Sequence, residues 1–95
     1  MTLVEQTYLG LHSVGLVNSR EAFSTQYLGK NPNWYSYQTH MRRDFSVSAA
    51  VECLRALKQH KDAGAVDKTQ TLLIKTITNK LYVYLLKQHL AVAYA

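Results

Sequence analysis

The sequence predicts an all-α protein, a small helical bundle of about five helices that ends in a long C-terminal one. Three observations predict it. Apolar residues recur at spacings of three and four through most of the chain. Serine, asparagine and aspartate stand where helices would need N-caps. One proline and four glycines leave the rest of the punctuation to those caps.

The first helix is expected from about Thr2 to Val17, with Leu3, Val4, Tyr8, Leu11 and Val14 approximating one face. Gly10 and Gly15 weaken it, each by about 1 kcal/mol relative to alanine, so Gly15 belongs near its end. Ser19 caps a second helix, Glu21 suits its positive first turn, and Phe23, Tyr27 and Leu28 are its apolar side before Gly29 and Lys30 end it. Asn31 and Pro32 start a third, because proline at the first helical position sacrifices an amide that has no partner there. Trp34, Tyr37 and Met41 form its inward stripe.

Arg42, Arg43 and Asp44 make a polar connection. Ser46 then caps a fourth helix, with Phe45 packing back toward Ala50 and an apolar face of Val47, Ala50, Val51, Leu54 and Leu57. Gly64 closes it. Asp67 with Gln70 three residues on approximates a capping box for a segment running nearly to Ala95. Thr76, Ile77, Thr78, Tyr82, Val83 and Tyr84 are good strand formers, and Thr78 to Lys80 suits a hairpin turn. Helix is favoured because Ile74, Ile77, Leu81, Tyr84, Gln88 and Ala91 alternate three and four apart.

With 95 residues, 47% hydrophobic and 18% charged, the chain is expected to form one globular domain, residues 1–95. So short a chain buries only about 60–65% of the surface its unfolded form exposes, so a partner surface is the expected supplement to its core. One cysteine, Cys53, excludes an intramolecular disulfide, and no basic start leads into an apolar stretch, so the reducing cytoplasm is the expected compartment. The longest uncharged run, between Glu5 and Arg20, is too short and polar to span a bilayer. The net charge of +5 points to a polyanion, of which nucleic acid is the commonest.

Little supports catalysis. His12, His40, His60, His89 and Cys53 offer no ligand pair at i, i+3 or i+4, and the local pairing of His40 with Asp44 lacks a third ligand. Cys53 sits with Ala50 and Leu57, as a small buried hydrophobe would. The six acids form no sequence-local acid–base pair, the glycines form no phosphate loop, and the seven tyrosines lack the basic constellation of a covalent nucleophile. The expectation is no enzyme, no cofactor and no metal.

The stretch from Ser19 to Leu57, SREAFSTQYLGKNPNWYSYQTHMRRDFSVSAAVECLRAL, resembles the helix-turn-helix of phage-repressor-like DNA-binding proteins. Phe23 and Tyr27 match inward positions of its first helix, Ser24 the small residue at the helix crossing, and Trp34 and Tyr37 the inward positions of the recognition helix. The family's turn glycine usually falls where this chain has Leu28, so Gly29 implies a shifted turn or one extra residue. Phe45 stands where proline is common. The resemblance implies a transcriptional regulator acting on double-stranded DNA. It assigns Lys30, Asn31 and Asn33 to the backbone or first base edges, Tyr35, Ser36 and Thr39 to the outward side, and Arg42 and Arg43 to phosphates. Residues 67–95 are expected to form a dimerisation helix, with Ile74, Ile77, Leu81 and Tyr84 across a two-fold axis and Leu72, Leu86 and Leu90 against the chain's own bundle. The alternative is a protein-interaction module that grips another regulator through this apolar C-terminal helix.

Overall fold

A computed structural model describes the backbone of residues 1–94 and the side-chain surroundings of residues 1–88. Among these residues there are five helices and no strand. They are α1, Leu3–Ser13; α2, Arg20–Ala22, running directly into a π-helical turn, Phe23–Tyr27; α3, Trp34–His40; α4, Val47–Asp62; and α5, Lys68–Tyr94. The chain is a small all-α bundle, and the segment in which helix and hairpin competed is one continuous helix.

The caps act locally, as their residue types require. Ser19 Oγ accepts from the Ala22 amide at 3.1 Å and Ser46 Oγ from the Ala49 amide at 3.2 Å, each satisfying an orphan donor of a first turn. Asp67 and Gln70 exchange reciprocal bonds of 2.8 and 3.0 Å, a complete capping box. The Gln70 side chain also donates to the Val14 carbonyl at 2.8 Å, so the cap of α5 is tied to the end of α1. That end comes at Ser13 rather than Val17, where the chain turns left-handed at Gly15.

Val4, Tyr8 and Leu11 of α1 meet Phe23 and Tyr27 of the π turn, Tyr35 of α3, Cys53 and Leu57 of α4, and Ile74, Ile77 and Leu81 of α5 in one core. The rings of Tyr8, Phe23 and Tyr35 form a triangle with centroids 4.9–5.5 Å apart, at the joint of the first three helices. At Gly10 α1 packs beside α5: a Cβ there would meet a Leu73 methyl at 3.4 Å, about van der Waals contact.

The structure corrects three face assignments. On α4 the buried residues are Ala49, Ala50, Cys53 and Leu57, while Val47 and Val51 are exposed. On α3 Tyr35 and Gln38 are buried, and Tyr37 and Met41 are exposed. On α5 the stripe assigned to a dimer lies inside the chain: Ile74, Ile77 and Leu81 are buried, and the partly buried Tyr84 donates its hydroxyl to the Phe45 carbonyl. Leu72 and Leu86, assigned to the bundle, are exposed; the side chains of His89, Leu90 and Ala91 lie outside the described residues. For α5 the physical reason is that a helix apolar around much of its circumference does not show which face meets its own chain; on α3 and α4 the buried face is rotated by about one residue from the expected stripe. Among the described residues no helix is long and apolar enough to cross a membrane.

Candidate nucleic-acid interface

The surface from Arg20 to Arg43 is built from the crossing of the π turn with α3. Ser24 is fully buried there, and its hydroxyl accepts the Tyr35 amide at 3.0 Å. A small polar residue lets the two helices touch while satisfying an amide of α3's first turn. Gly29 follows in the left-handed conformation, φ 63°. The Lys30 amide then closes on the Ser24 carbonyl at 2.9 Å, one residue further back than an α-helical Schellman closure reaches. That is the length a π turn adds. The closure is thus one residue longer than an α-helical one, with that length wound into Phe23–Tyr27.

This one residue sets the register of α3. Its inward positions are Tyr35 and Gln38, each one place beyond the expected Trp34 and Tyr37. Tyr35, expected on the outward side, is instead core, and burial first, with the Glu5 carboxylate second, pushes its phenol up to about 12. Trp34 is half-buried against the core. Entry to α3 comes at Trp34 rather than Pro32, because the Asn31 side chain accepts the Asn33 amide at 3.0 Å and forms an Asx turn over the proline. Asn31 and Asn33 are exposed. Ser36 and Thr39 are half-buried, with the Thr39 hydroxyl donating to the Ser36 carbonyl at 3.0 Å. Tyr37 and His40 stand exposed beside Asn33 on the solvent side, where the sequence had placed a core residue and no contact. Lys30 reaches back to α4: its Nζ donates to Ser48 Oγ at 2.9 Å and lies 5.9 Å from the Trp34 ring centre.

The end of α3 is a Schellman motif with arginine where glycine is usual. The Arg43 amide donates to the Gln38 carbonyl at 2.9 Å and the Arg42 amide to Thr39 at 3.1 Å, while Arg42 itself has φ 55°. A side chain in that region costs about 1–2 kcal/mol. Both arginine side chains are exposed.

Asp44 holds the link in place. Its two carboxylate oxygens accept the amides of Leu3 at 3.0 Å, Val4 at 2.9 Å and Phe45 at 2.8 Å, and its carbonyl accepts the Gln38 side chain at 3.1 Å. The carboxylate thus sits at the positive N-terminus of α1. Asp44 is the sole acid between Glu21 and Glu52 in the sequence; Glu21 is exposed on α2, and the Glu52 side chain packs over Gly29.

The remaining reactive side chains are structural. Cys53 is fully buried, and burial pushes its thiol up to about 12, away from nucleophilic use. The Tyr27 hydroxyl donates to the Leu16 carbonyl at 2.8 Å, leaving its oxygen to accept from His60 Nε2 at 2.9 Å in a stacked pair. Among the described residues no three His, Cys, Asp or Glu side chains gather as a metal site would require.

Fold and surface define a small five-helix protein with two exposed arginines, Arg42 and Arg43, at the end of its third helix. The chain belongs to the DUF6626 family, a family of unknown function, whose model matches residues 4–90. No curated protein and no solved structure matches it.

Proposed function

We propose that this protein is a DNA-binding transcriptional regulator that presents the outward face of α3 to the major groove and grips flanking phosphates with Arg42 and Arg43. The observation that carries the reading is Arg42. A backbone position that favours glycine holds an exposed arginine, beside a second arginine, at the end of the helix that would enter the groove. Strain retained where no packing requires the side chain points to use of the side chain. The outward readers become Asn33, Ser36, Tyr37 and His40, with Lys30 and Asn31 at the entry and Thr39 on the flank; Tyr35 drops out. A homodimer on a palindromic operator belongs to the same reading. Because Ile74, Ile77 and Leu81 are occupied within the chain, pairing would draw on exposed Leu72, Val83 and Leu86.

Salt-dependent binding to random duplex tests it. Replacing Arg42 and Arg43 together with alanine should weaken specific and random binding alike and flatten the salt slope by up to about 2, roughly 0.9 per lost phosphate contact. An unchanged slope removes both from the interface. Arg42→Gly should separate the two roles, raising stability by about 1 kcal/mol while still losing one contact's share of the slope. Selection of bound sequences then checks the readers: sites unchanged by Asn33, Tyr37 or His40 substitutions would exclude base reading by α3.

A further inference from the structure

We infer that the groove between α4 and α5 docks an acidic, amphipathic helix of a partner protein, a role that does not rest on DNA binding. The groove encloses about 660 Å³. One wall is the flank of α4 carrying Leu54, Lys58 and Lys61; the other is the flank of α5 carrying Thr71, Lys75, Thr78 and Tyr82. Both flanks step by three and four, so each is a straight row along its helix, and the α5 row runs for about 16 Å, some three turns. Leu54 and Ile74 give an apolar floor, and Tyr82, 60% exposed, is an uncovered apolar side chain on the rim. The α4 row continues upward through Val51 and Val47, also exposed. Two rows of anchors flanking an apolar floor are what a helix laid into a groove engages, at its own i, i+3, i+4 and i+7 positions.

The charge identifies the occupant. Arg55, Lys58, Lys61 and Lys75 line the groove against one acid, Asp62. The only ion pair among the described residues joins Arg55 of the lining to Glu52, so the three lysines make no ion pair. A second copy of this chain does not fit: its acids are scattered, and α5 carries none from Lys68 to Gln88. Duplex DNA fits poorly as well, because an apolar floor gives a phosphate backbone nothing to bind. Lys58 and Lys61 also lie about 16–21 Å along α4 from its first residue, the end that adjoins the arginine link.

The test is a titration of the full-length, isotope-labelled protein, followed by amide shifts. One probe is a synthetic helical peptide of about 18 residues with leucines at i, i+4 and i+7 and glutamates on both flanks. The others are the same peptide with lysine for glutamate and a random-sequence duplex. The acidic peptide should shift amides within residues 54–62 and 71–82, and the lysine peptide should not. Lys58→Glu with Lys75→Glu should weaken the acidic peptide about tenfold or more, Tyr82→Ala should weaken it without a charge change, and Lys58→Arg should retain it. Arg42→Ala with Arg43→Ala should leave peptide affinity unchanged, which separates failure here from failure of the DNA reading. No shift at millimolar acidic peptide, equal shifts with both peptides, or shifts on other residues would overturn the proposal. So would the duplex moving these same amides, which would make the groove a nucleic-acid surface, or their moving with protein concentration alone, which would make it a contact between copies.

Discussion

The α3 side and the α4–α5 side of this molecule both present cations, and they are built in opposite ways. Around α3 the backbone is tied at each corner: Ser24 holds the Tyr35 amide, Gln38 holds the Asp44 carbonyl, and Asp44 holds three amides from two segments. Arg42 is left-handed within the Schellman closure of Arg42 on Thr39 and Arg43 on Gln38. Over the α4–α5 groove Lys58, Lys61 and Lys75 extend from regular helix and are exposed. Placing a charge to within a fraction of an ångström takes polar partners and strain, whereas raising a local potential takes only exposed side chains over a low-dielectric surface. The first construction suits a rigid target, and the second an adaptable one.

Three perturbations bear on that contrast, the largest first. Leu81→Ala should destabilise the protein by about 2–5 kcal/mol in urea unfolding, since Leu81 is fully buried on the inner face of α5, while exposed Leu72→Ala should change stability by less than about 0.5 kcal/mol. A reversed order would return the inner stripe to a dimer contact. Asp44→Ala should cost about 2–4 kcal/mol and speed hydrogen exchange at Leu3, Val4 and Phe45, because it strips a charged acceptor from three amides. The equivalent Lys58→Ala should leave stability and exchange unaltered. If Asp44→Ala is equally silent, the two sides do not differ in how they are held.

The third perturbation is alkaline, and its effect is smallest when read per pH unit. Tyr27 and Tyr35 are raised from 10.0 to about 12, and Cys53 from 9.0 to about 12, by burial in each case. A folded pKa above the unfolded one means that unfolding releases protons. The stabilisation from the neutral groups is therefore complete below pH 9 and is lost as pH rises through 12. Each group should lower stability by up to about 1.4 kcal/mol per pH unit within its own window. Both sides share this core, so unfolding followed at Trp34 and by helix content should coincide; separate transitions would show that the sides unfold independently.

Capping and termination were legible because they are local. Ser19, Ser46 and the Asp67–Gln70 pair lie within four residues of the amides they satisfy, and no distant part of the chain is needed to place them. The inward face of α3 was not legible to the residue: it is Tyr35 and Gln38, one place on from the expected Trp34 and Tyr37, which leaves Tyr37 and His40 exposed. Asp44 gave no signal, since a carboxylate beside two arginines reads as a solvated link until α1 is brought to it.

The sequence by itself thus determined that the chain is helical, how many helices it has and nearly where each begins, because caps, glycines and apolar spacing act over a turn or two of backbone. Which face of each helix is inside was settled by packing between helices. It turned Ile74, Ile77 and Leu81 inward, left Val47, Val51, Leu72 and Leu86 outside, and opened the lysine-rimmed groove between α4 and α5. The reason is that a helix apolar on several sides has several faces of similar burial energy, and the choice among them is made by the shapes of the neighbours it packs against.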